Sequence, residues 1–594
     1  MSRLRPLLPF LVHLLLWVGV TWPMALDPGD RWVETRFGSS HLWIFDTVVQ
    51  GWQGRVPLWL WDRGYPAGGA VVLIGWPALA VFALFRPLVS ALAAFNLTWL
   101  VLGALGGAAA HALARRQGVG EPGAWVTGVG WGVSGYLLSI VYLGEIPNFC
   151  HSLLPLLLLA VDACGRASWA PFAGAAAWTG LLAATPYYGI LSVWLVVAYG
   201  LVVLWRCRSW ATLARLVLLA ALCAGPSLVL LRYFDLLRDL APNYHLLRPA
   251  TGAISVAGER PTWLFMESTL DGLVKPGKIP VDAGVAIQVG YLGLGLLALA
   301  LGAWARPGRA ATAGWWAAAL VAVSLMLGDR LIVGARPWLT PGGMELSLPL
   351  GLLKQWVPAL QMVAVPYRAA VVATLCLAIL AGFAVDRVGR PWFAAFASAG
   401  LVAESLWLSP TPWPLPVVHE PPPAPYVAMG ADPADYAILP FTFECLPEQG
   451  IGKFRRYFQD ATVHHKRVPW GDRYTFDRGS RDLGRRQVIS EPFVEGLCGL
   501  LAEPPRAPPA GSEDVRWLAE VGLRSVTLHP ELLEEGQVDR VRAYLSERLG
   551  PATEASGDGV EVYRVGDGGI TPDMLGPATL RAQPWPAWLY TVAP

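Results

Sequence analysis

Residues 71–84 read VVLIGWPALAVFAL, and the number of times the chain crosses a membrane turns on this stretch. If it crosses, Arg115 and Arg116 come out on the opposite side from Arg3 and Arg5, and every later arginine gap inverts as well. If instead it lies in the interface or re-enters, broken by Trp76, Pro77 and Pro87, the arginines become regular. Arg3 and Arg5, Arg115 and Arg116, Arg166, Arg206 and Arg208, Arg306 and Arg309, and Arg387 and Arg390 then fall in every second gap between apolar runs. Arginine in short loops marks the cytoplasmic side, so this second reading is adopted and the long polar loops face outward.

On either side of that stretch the apolar runs predict spans at about 6–26, 89–113, 123–143, 147–163, 170–186, 188–205, 210–231, 286–305, 311–328, 368–386 and 391–408. That is about eleven, an odd number, which puts the N-terminus inside and the C-terminus outside. The first run follows a short basic segment, as a cleaved signal peptide would, but no A-x-A-like site ends it and its length suits an uncleaved anchor. The fold class expected is an α-helical polytopic membrane protein with a small C-terminal α/β soluble domain. Residues 1–408 would form the membrane domain, with outside loops at 27–88, 232–285 and 329–367. Residues 409–429, rich in Pro, would form a stiff connector, and 430–594 the outside domain. In that domain strands are expected at 436–441, 523–529 and 560–565, a helix capped by Ser512, and another from Pro530 to Arg548 stopped at Gly550.

Composition fits this division: 54% of residues are hydrophobic and 15% charged, against about 25% charged in soluble domains. A net charge of +2 gives no reason to expect a nucleic-acid partner. Cys445 and Cys498 are the two cysteines of the C-terminal domain; an outside location permits a disulfide between them, and two free thiols are the alternative. Neither a zinc-spaced His/Cys cluster, a Gly-rich phosphate loop nor a G-x-S-x-G elbow occurs, and His464 and His465, if on a strand, point to opposite faces.

Candidate chemistry concentrates in the outside loops. Asp27-Pro28-Gly29-Asp30 follows the first span, with Glu34 and His41 close behind. A carboxylate there can take a proton from an acceptor hydroxyl, or Asp-Pro-Gly-Asp can simply be a polar turn. Glu145 lies in a short outside turn, with His151 one helical turn further on; it can act as an ionisable group at the membrane boundary or cap the next helix. Tyr187 and Tyr188 can line a pocket or belong to the interfacial aromatic belt. Arg368 stands at the outer end of a span, after Arg248, Arg260, Lys275 and Lys278 in a preceding loop; it can bind phosphate or serve as a snorkelling anchor. Glu404, a carboxylate inside the last span, calls for a polar partner within the bundle.

Several short motifs, in order along the chain, carry a resemblance. They are His41-Leu42-Trp43, Gly64-Tyr65-Pro66-Ala67-Gly68, Gly75-Trp76-Pro77, Ala93-Ala94-Phe95-Asn96-Leu97, His111-Ala112-Leu113-Ala114-Arg115-Arg116, Val365-Pro366-Tyr367-Arg368, Ala437-Ile438-Leu439-Pro440 and Val521-Gly522-Leu523-Arg524. Together they resemble bacterial multi-span proteins related to the GT-C superfamily of glycosyltransferases. The resemblance implies an inside N-terminus, a large first outside loop with interfacial helices, and an outside C-terminal domain. It also implies sugar transfer from a polyprenyl-phosphate donor to a glycan, lipid or protein acceptor, on the outer face of a bacterial inner membrane. A first-loop carboxylate would serve catalysis: Asp30 first, Asp27 second, with Glu145 as a helper. Glu34, His41, Arg368, Tyr187, Tyr188 and Arg260 would contact substrate. No Asp-x-Asp or Asp-Glu pair stands in the loop, a departure from metal-dependent members, so neither a metal nor a cofactor besides the donor lipid is expected. The rival reading is a non-catalytic transporter or scaffold for lipid-linked sugars in envelope polysaccharide assembly.

Overall fold

The structure, a computed structural model, describes residues 7–33, 38–52, 70–71, 75–240, 270–274, 290–304, 310–333, 336–357, 360, 363, 365–409, 411–419, 422–441, 459–468, 475–476, 491–502, 504–520, 522–555 and 559–566. It divides into two compact units, one of 1–34, 74–235 and 245–418, the other of 35–73, 236–244 and 419–594.

The first unit is helical. Lipid offers backbone groups no partner outside the helix's own bonds, and apolar runs of this length therefore coil. Among the described residues six helices are long and apolar enough to cross a bilayer: Ala91–Arg116, Glu121–Leu143, Ile146–Ala163, Pro186–Cys207, Trp210–Leu230 and Pro366–Val388. Leu8–Val20, Ala170–Ala184, Leu294–Trp304 and Thr312–Met326 are shorter apolar helices. Pro391–Trp407 follows Gly389, whose φ of 66° ends the helix before it. The chain is thus a multi-pass membrane protein.

Residues 71–84 become a short element. Gly75, at φ 86°, reverses the backbone, and Trp76–Phe85 is a helix of 10 residues. At 1.5 Å per residue it rises about 15 Å, half the hydrocarbon thickness. It buries Ala78, Leu79 and Phe82 and packs on Ala91–Arg116 and Ala170–Ala184. Two expected spans are interrupted. Glu121–Gly132 ends at Val133 and Gly135–Leu143 restarts under a Ser134 cap, while Ile146–Ser152 is 3-10 before Leu153–Ala163.

Pro366–Val388 and Glu121–Leu143 form the centre; in their most apolar 18-residue stretches 89% and 100% of the residues are buried. Gly123 and Gly382 face one another too closely for any Cβ, and Thr127 Oγ1 donates across the gap to the Ala378 carbonyl at 3.1 Å. Such close approach by small residues is how helices associate where lipid removes the hydrophobic drive. The arginine-bearing ends meet one another: Arg116 and Arg166 share Asp162 (2.7 and 2.5 Å), Arg115 pairs with Glu121 (3.1 Å), Arg215 donates to the Cys164 carbonyl (3.1 Å) and Arg387 to that of Ala303 (2.8 Å). Among the described residues, Arg115, Arg116 and Arg166 are thus gathered at neighbouring helix ends.

The second unit holds a four-stranded sheet. Ala437–Phe441 runs parallel to Leu523–Leu528, which pairs antiparallel with Glu561–Arg564, and Glu554–Ala555 closes the edge. Leu439, Phe441, Val526, Leu528 and Tyr563 pack against Phe493, Leu497, Val541, Tyr544 and Leu545 from the helices Pro492–Leu500 and Glu535–Leu549. Arg516–Glu520 is capped by Asp514, whose Oδ1 accepts from the Arg516 amide at 3.0 Å, rather than by Ser512. The stretch from Pro530 splits into a 3-10 turn at Pro530–Leu532 and the helix Glu535–Leu549, opened by a Glu534/Gln537 capping box and closed at Gly550. Cys498 is disulfide-bonded; Cys445 lies outside the described residues. His464 ends a short helical segment and His465 takes φ 52°, so the pair does not lie on a strand. Gly38–Trp52, from the first long loop, belongs to this unit and is buried from Ser40 to Gln50. Gln50 there bonds Asp46 (2.6 Å) and His465 (3.2 Å).

Candidate functional site

The central helix begins in a 3-10 turn, Pro366–Ala369, where Pro366 presets the first turn and Arg368 leaves it sideways. At the opposite end from Arg387, Arg368 meets the start of Pro186–Cys207. Thr185, extended at φ −156°, breaks the chain between two helices, and its Oγ1 accepts from Arg368 Nη1 at 3.4 Å. The guanidinium lies 4.7 Å from the centre of the Tyr187 ring, a cation–π distance. Its Nε is buried and has no acceptor among the described residues. A guanidinium holds five N–H donors, so this one is under-used.

Glu145 reaches the same place. Gly144, at φ 71°, ends one helix and Pro147 opens the next turn, leaving Glu145 between them at 7% exposure. It makes no side-chain cap to the turn that follows; its Oε2 accepts from Asn148 Nδ2 at 3.1 Å, and its charge is felt by Arg368. The Tyr188 hydroxyl donates to the Asn148 carbonyl (2.6 Å) and meets the Tyr136 hydroxyl at 3.0 Å; Tyr136 in turn sits edge-on to Tyr367, centroids 6.4 Å apart. Tyr187 and Tyr188 are therefore buried parts of a polar cluster and not members of an exposed belt. Tyr136, Tyr367 and Asn148 complete it.

Asp27 and Asp30 form a turn of their own, with the amides of Asp30 and Arg31 donating to the Asp27 carbonyl at 3.3 and 2.9 Å. Asn96 pins that turn to Ala91–Arg116, its Nδ2 donating to the carbonyls of Pro28 (2.9 Å) and Arg31 (2.7 Å). Asp30 is exposed and Asp27 half-buried. Asn96 was the missed residue here. An amide within an apolar run was its only signal, since such a group needs partners. His41 lies in the second unit and is buried on Gly38–Trp52. Glu34 and Arg260, with Arg248, Lys275 and Lys278, lie outside the described residues. Among the described residues, no group of three or more His, Cys, Asp or Glu is arranged to hold a metal.

Glu404 has a structural task. Its carboxylate accepts from the Tyr291 hydroxyl (2.7 Å), the Gly295 amide (2.9 Å) and the Leu294 amide, and so caps the helix Leu294–Trp304 from the neighbouring helix Pro391–Trp407.

No protein-family model matches the sequence, and no curated protein matches it either. Solved structures do resemble the fold. The arabinofuranosyltransferase AftD from Mycobacteria matches with a TM-score of 0.57 at 17% identity, over 95% of this chain and 40% of that one. A mutant of the same protein matches with 0.53 at 16%, over 96% and 42%. ArnT from Cupriavidus metallidurans gives 0.43 at 11%, over 96% and 98%. The chain spans about two fifths of the AftD chain. The fold is similar to that of AftD.

Proposed function

We propose that the protein transfers a sugar from a polyprenyl-phosphate-linked donor to an acceptor hydroxyl at the outer face of a bacterial inner membrane, with inversion at the anomeric carbon. The observation that carries this reading is Arg368. On a fold shared with an arabinofuranosyltransferase, it heads the central helix with a buried, unused N–H, beside Glu145 and a group of tyrosines. Guanidinium forks suit phosphate oxygens.

In this reading the Asp30 carboxylate takes the acceptor's hydroxyl proton. The acceptor oxygen bonds the anomeric carbon while the bond from that carbon to the phosphate oxygen breaks, and polyprenyl phosphate leaves with the electron pair. Arg368 offsets the charge that develops on the leaving phosphate, where stabilisation acts on the transition state. Asp27 is the reserve carboxylate, and Glu145 keeps Arg368 oriented. The pinned turn of Asp27 and Asp30 supports the base assignment, because a base must be held in place to be effective. The C-terminal domain would select the acceptor. A transporter would call for ionisable groups along the middle of several spans, whereas Glu145 and Arg368 gather at helix ends.

The test is transfer from radiolabelled polyprenyl-phosphate sugars in membranes carrying wild type or Asp30→Asn. Loss of about 100-fold or more in the variant, with normal membrane insertion, is expected for removal of a general base. Full transfer by the variant removes Asp30 from the mechanism. Binding of labelled lipid without transfer by the wild type favours a carrier-presenting role.

A further inference from the structure

The segment 329–357 leaves the membrane helix Ala310–Met326 through Gly328 (φ 83°) and has its amphipathic character inside out. It opens with a small hairpin, Ile332–Val333 paired to Arg336–Pro337, extended by bridges Arg330↔Ser347 and Leu339↔Glu345. It closes with the helix Pro349–Trp356. The inward side of that helix carries Leu350 and, one turn on, Lys354, whose Nζ is held by Asp329 at 2.8 Å. The outward side carries Leu352, Leu353, Trp356 and Val357, with Trp356 82% exposed. The hairpin continues this surface with Trp338, Leu339, Leu346 and Met344, the last 71% exposed.

In water that arrangement is unfavourable: the charge is tucked in and the large apolar groups are outside. At a bilayer surface it is the favourable one. Two further features suit a medium that cannot hydrate the backbone. Hairpin amides are satisfied internally, Trp338 to the Leu331 carbonyl (2.8 Å), Leu346 to Trp338 (3.0 Å), Thr340 to Met344 (2.8 Å) and Leu348 to Asp329 (2.9 Å). Glu345, the carboxylate near the tip, is paired with Arg330 at 2.8 Å. Leu320 and Val321 on the preceding helix are exposed large apolar side chains as well.

We infer that segment 329–357 is a membrane-inserted anchor: Trp338, Leu339, Met344, Leu353 and Trp356 enter the acyl-chain boundary of the leaflet into which Ala310–Met326 emerges. Its occupant is the lipid surface itself. The consequence is a fixed tether directly before residue 365 and the turn that carries Arg368.

The test uses the full chain in liposomes, with Cys207 and Cys223 replaced by Ser and a nitroxide attached at Met344→Cys, Leu353→Cys or Trp356→Cys. Leu320→Cys serves as the lipid reference and Glu547→Cys, 74% exposed, as the water reference. Collision rates with oxygen and with a neutral nickel chelate are then compared. All three sites should give an oxygen-to-nickel ratio close to that of residue 320 and several times that of residue 547. A ratio matching residue 547 would overturn the inference, and so would suppression of both reagents, which marks a protein contact instead.

Discussion

Two helices of the membrane unit are nearly equal by sequence measure and opposite in fate. Pro366–Val388 has 23 residues and Trp210–Leu230 has 21, and their most apolar 18-residue stretches have mean hydropathies of 2.2 and 2.1. In the most apolar 18-residue stretch of each, 89% of the residues are buried in the first, at the centre of the bundle, and 6% in the second, which lies at its edge. Hydropathy therefore reports that a helix crosses and nothing about what it crosses beside. In lipid, a leucine gains little by leaving acyl chains for protein, so position is settled by close backbone approach and by polar groups seeking partners. The central helix offers Gly382 to Gly123 and receives Thr127 on its Ala378 carbonyl. In the peripheral helix, a Cβ added at Gly225 would meet nothing within 4 Å.

The contrast can be broken most directly by function. Arg368→Ala, at the head of the central helix, should reduce sugar transfer by about 100-fold or more, the scale of losing one transition-state donor. Arg215→Gln, on the peripheral helix, should leave the labelled-lipid assay unchanged; equal losses in both would deny the central helix its special role. Next in size is packing. Gly382→Ala forces a Cβ into Thr127 and the Gly123 carbonyl and should cost about 1–3 kcal/mol of stability in detergent unfolding, while Gly225→Ala should stay within about 0.5 kcal/mol. Thr127→Val keeps the shape and removes the interhelical bond, for a loss of about 0.6 kcal/mol in the same measurement. The smallest effect lies in the second unit, where charge meets water. Bonds from Arg516 hold the Asp514 carboxyl down at about 2, against an ordinary 3.8. A depressed carboxylate contributes its stabilisation fully above the ordinary value and loses it as pH falls toward 2. Carbon NMR of labelled Asp in Arg516→Ala should show that carboxyl titrating at higher pH.

Legibility in the sequence followed the same division. Arginine spacing foretold that the helix ends bearing Arg116 and Arg166 lie together, because charge at a helix end is a strong and local signal. The strands at 437–441, 523–528 and 561–564 fell within a residue or so of expectation, since apolar runs bounded by turn residues mark a buried sheet. The break at Val133 and Ser134 was hidden, being apolar on both sides. At the site, Glu145, Tyr187, Tyr188 and Arg368 were each visible as polar groups at span ends, yet their convergence was not: it brings together residues more than 200 positions apart. Tyr136 gave no warning at all, because a tyrosine in an apolar run looks like any interfacial aromatic.

Glu404 has a consequence for how the protein is made. The helix Leu294–Trp304 begins with amides that, among the described residues, this carboxylate satisfies, and it arrives 110 residues later in the chain. At bacterial translation speeds of about 5–20 residues per second, the ribosome needs roughly five to twenty seconds to supply it. Until then the helix start is held by water or by whatever escorts nascent spans into the bilayer. The helix Pro391–Trp407 thus acts as a closing latch, and a chain cut short before it would leave an earlier helix, already synthesised, open at its first turn.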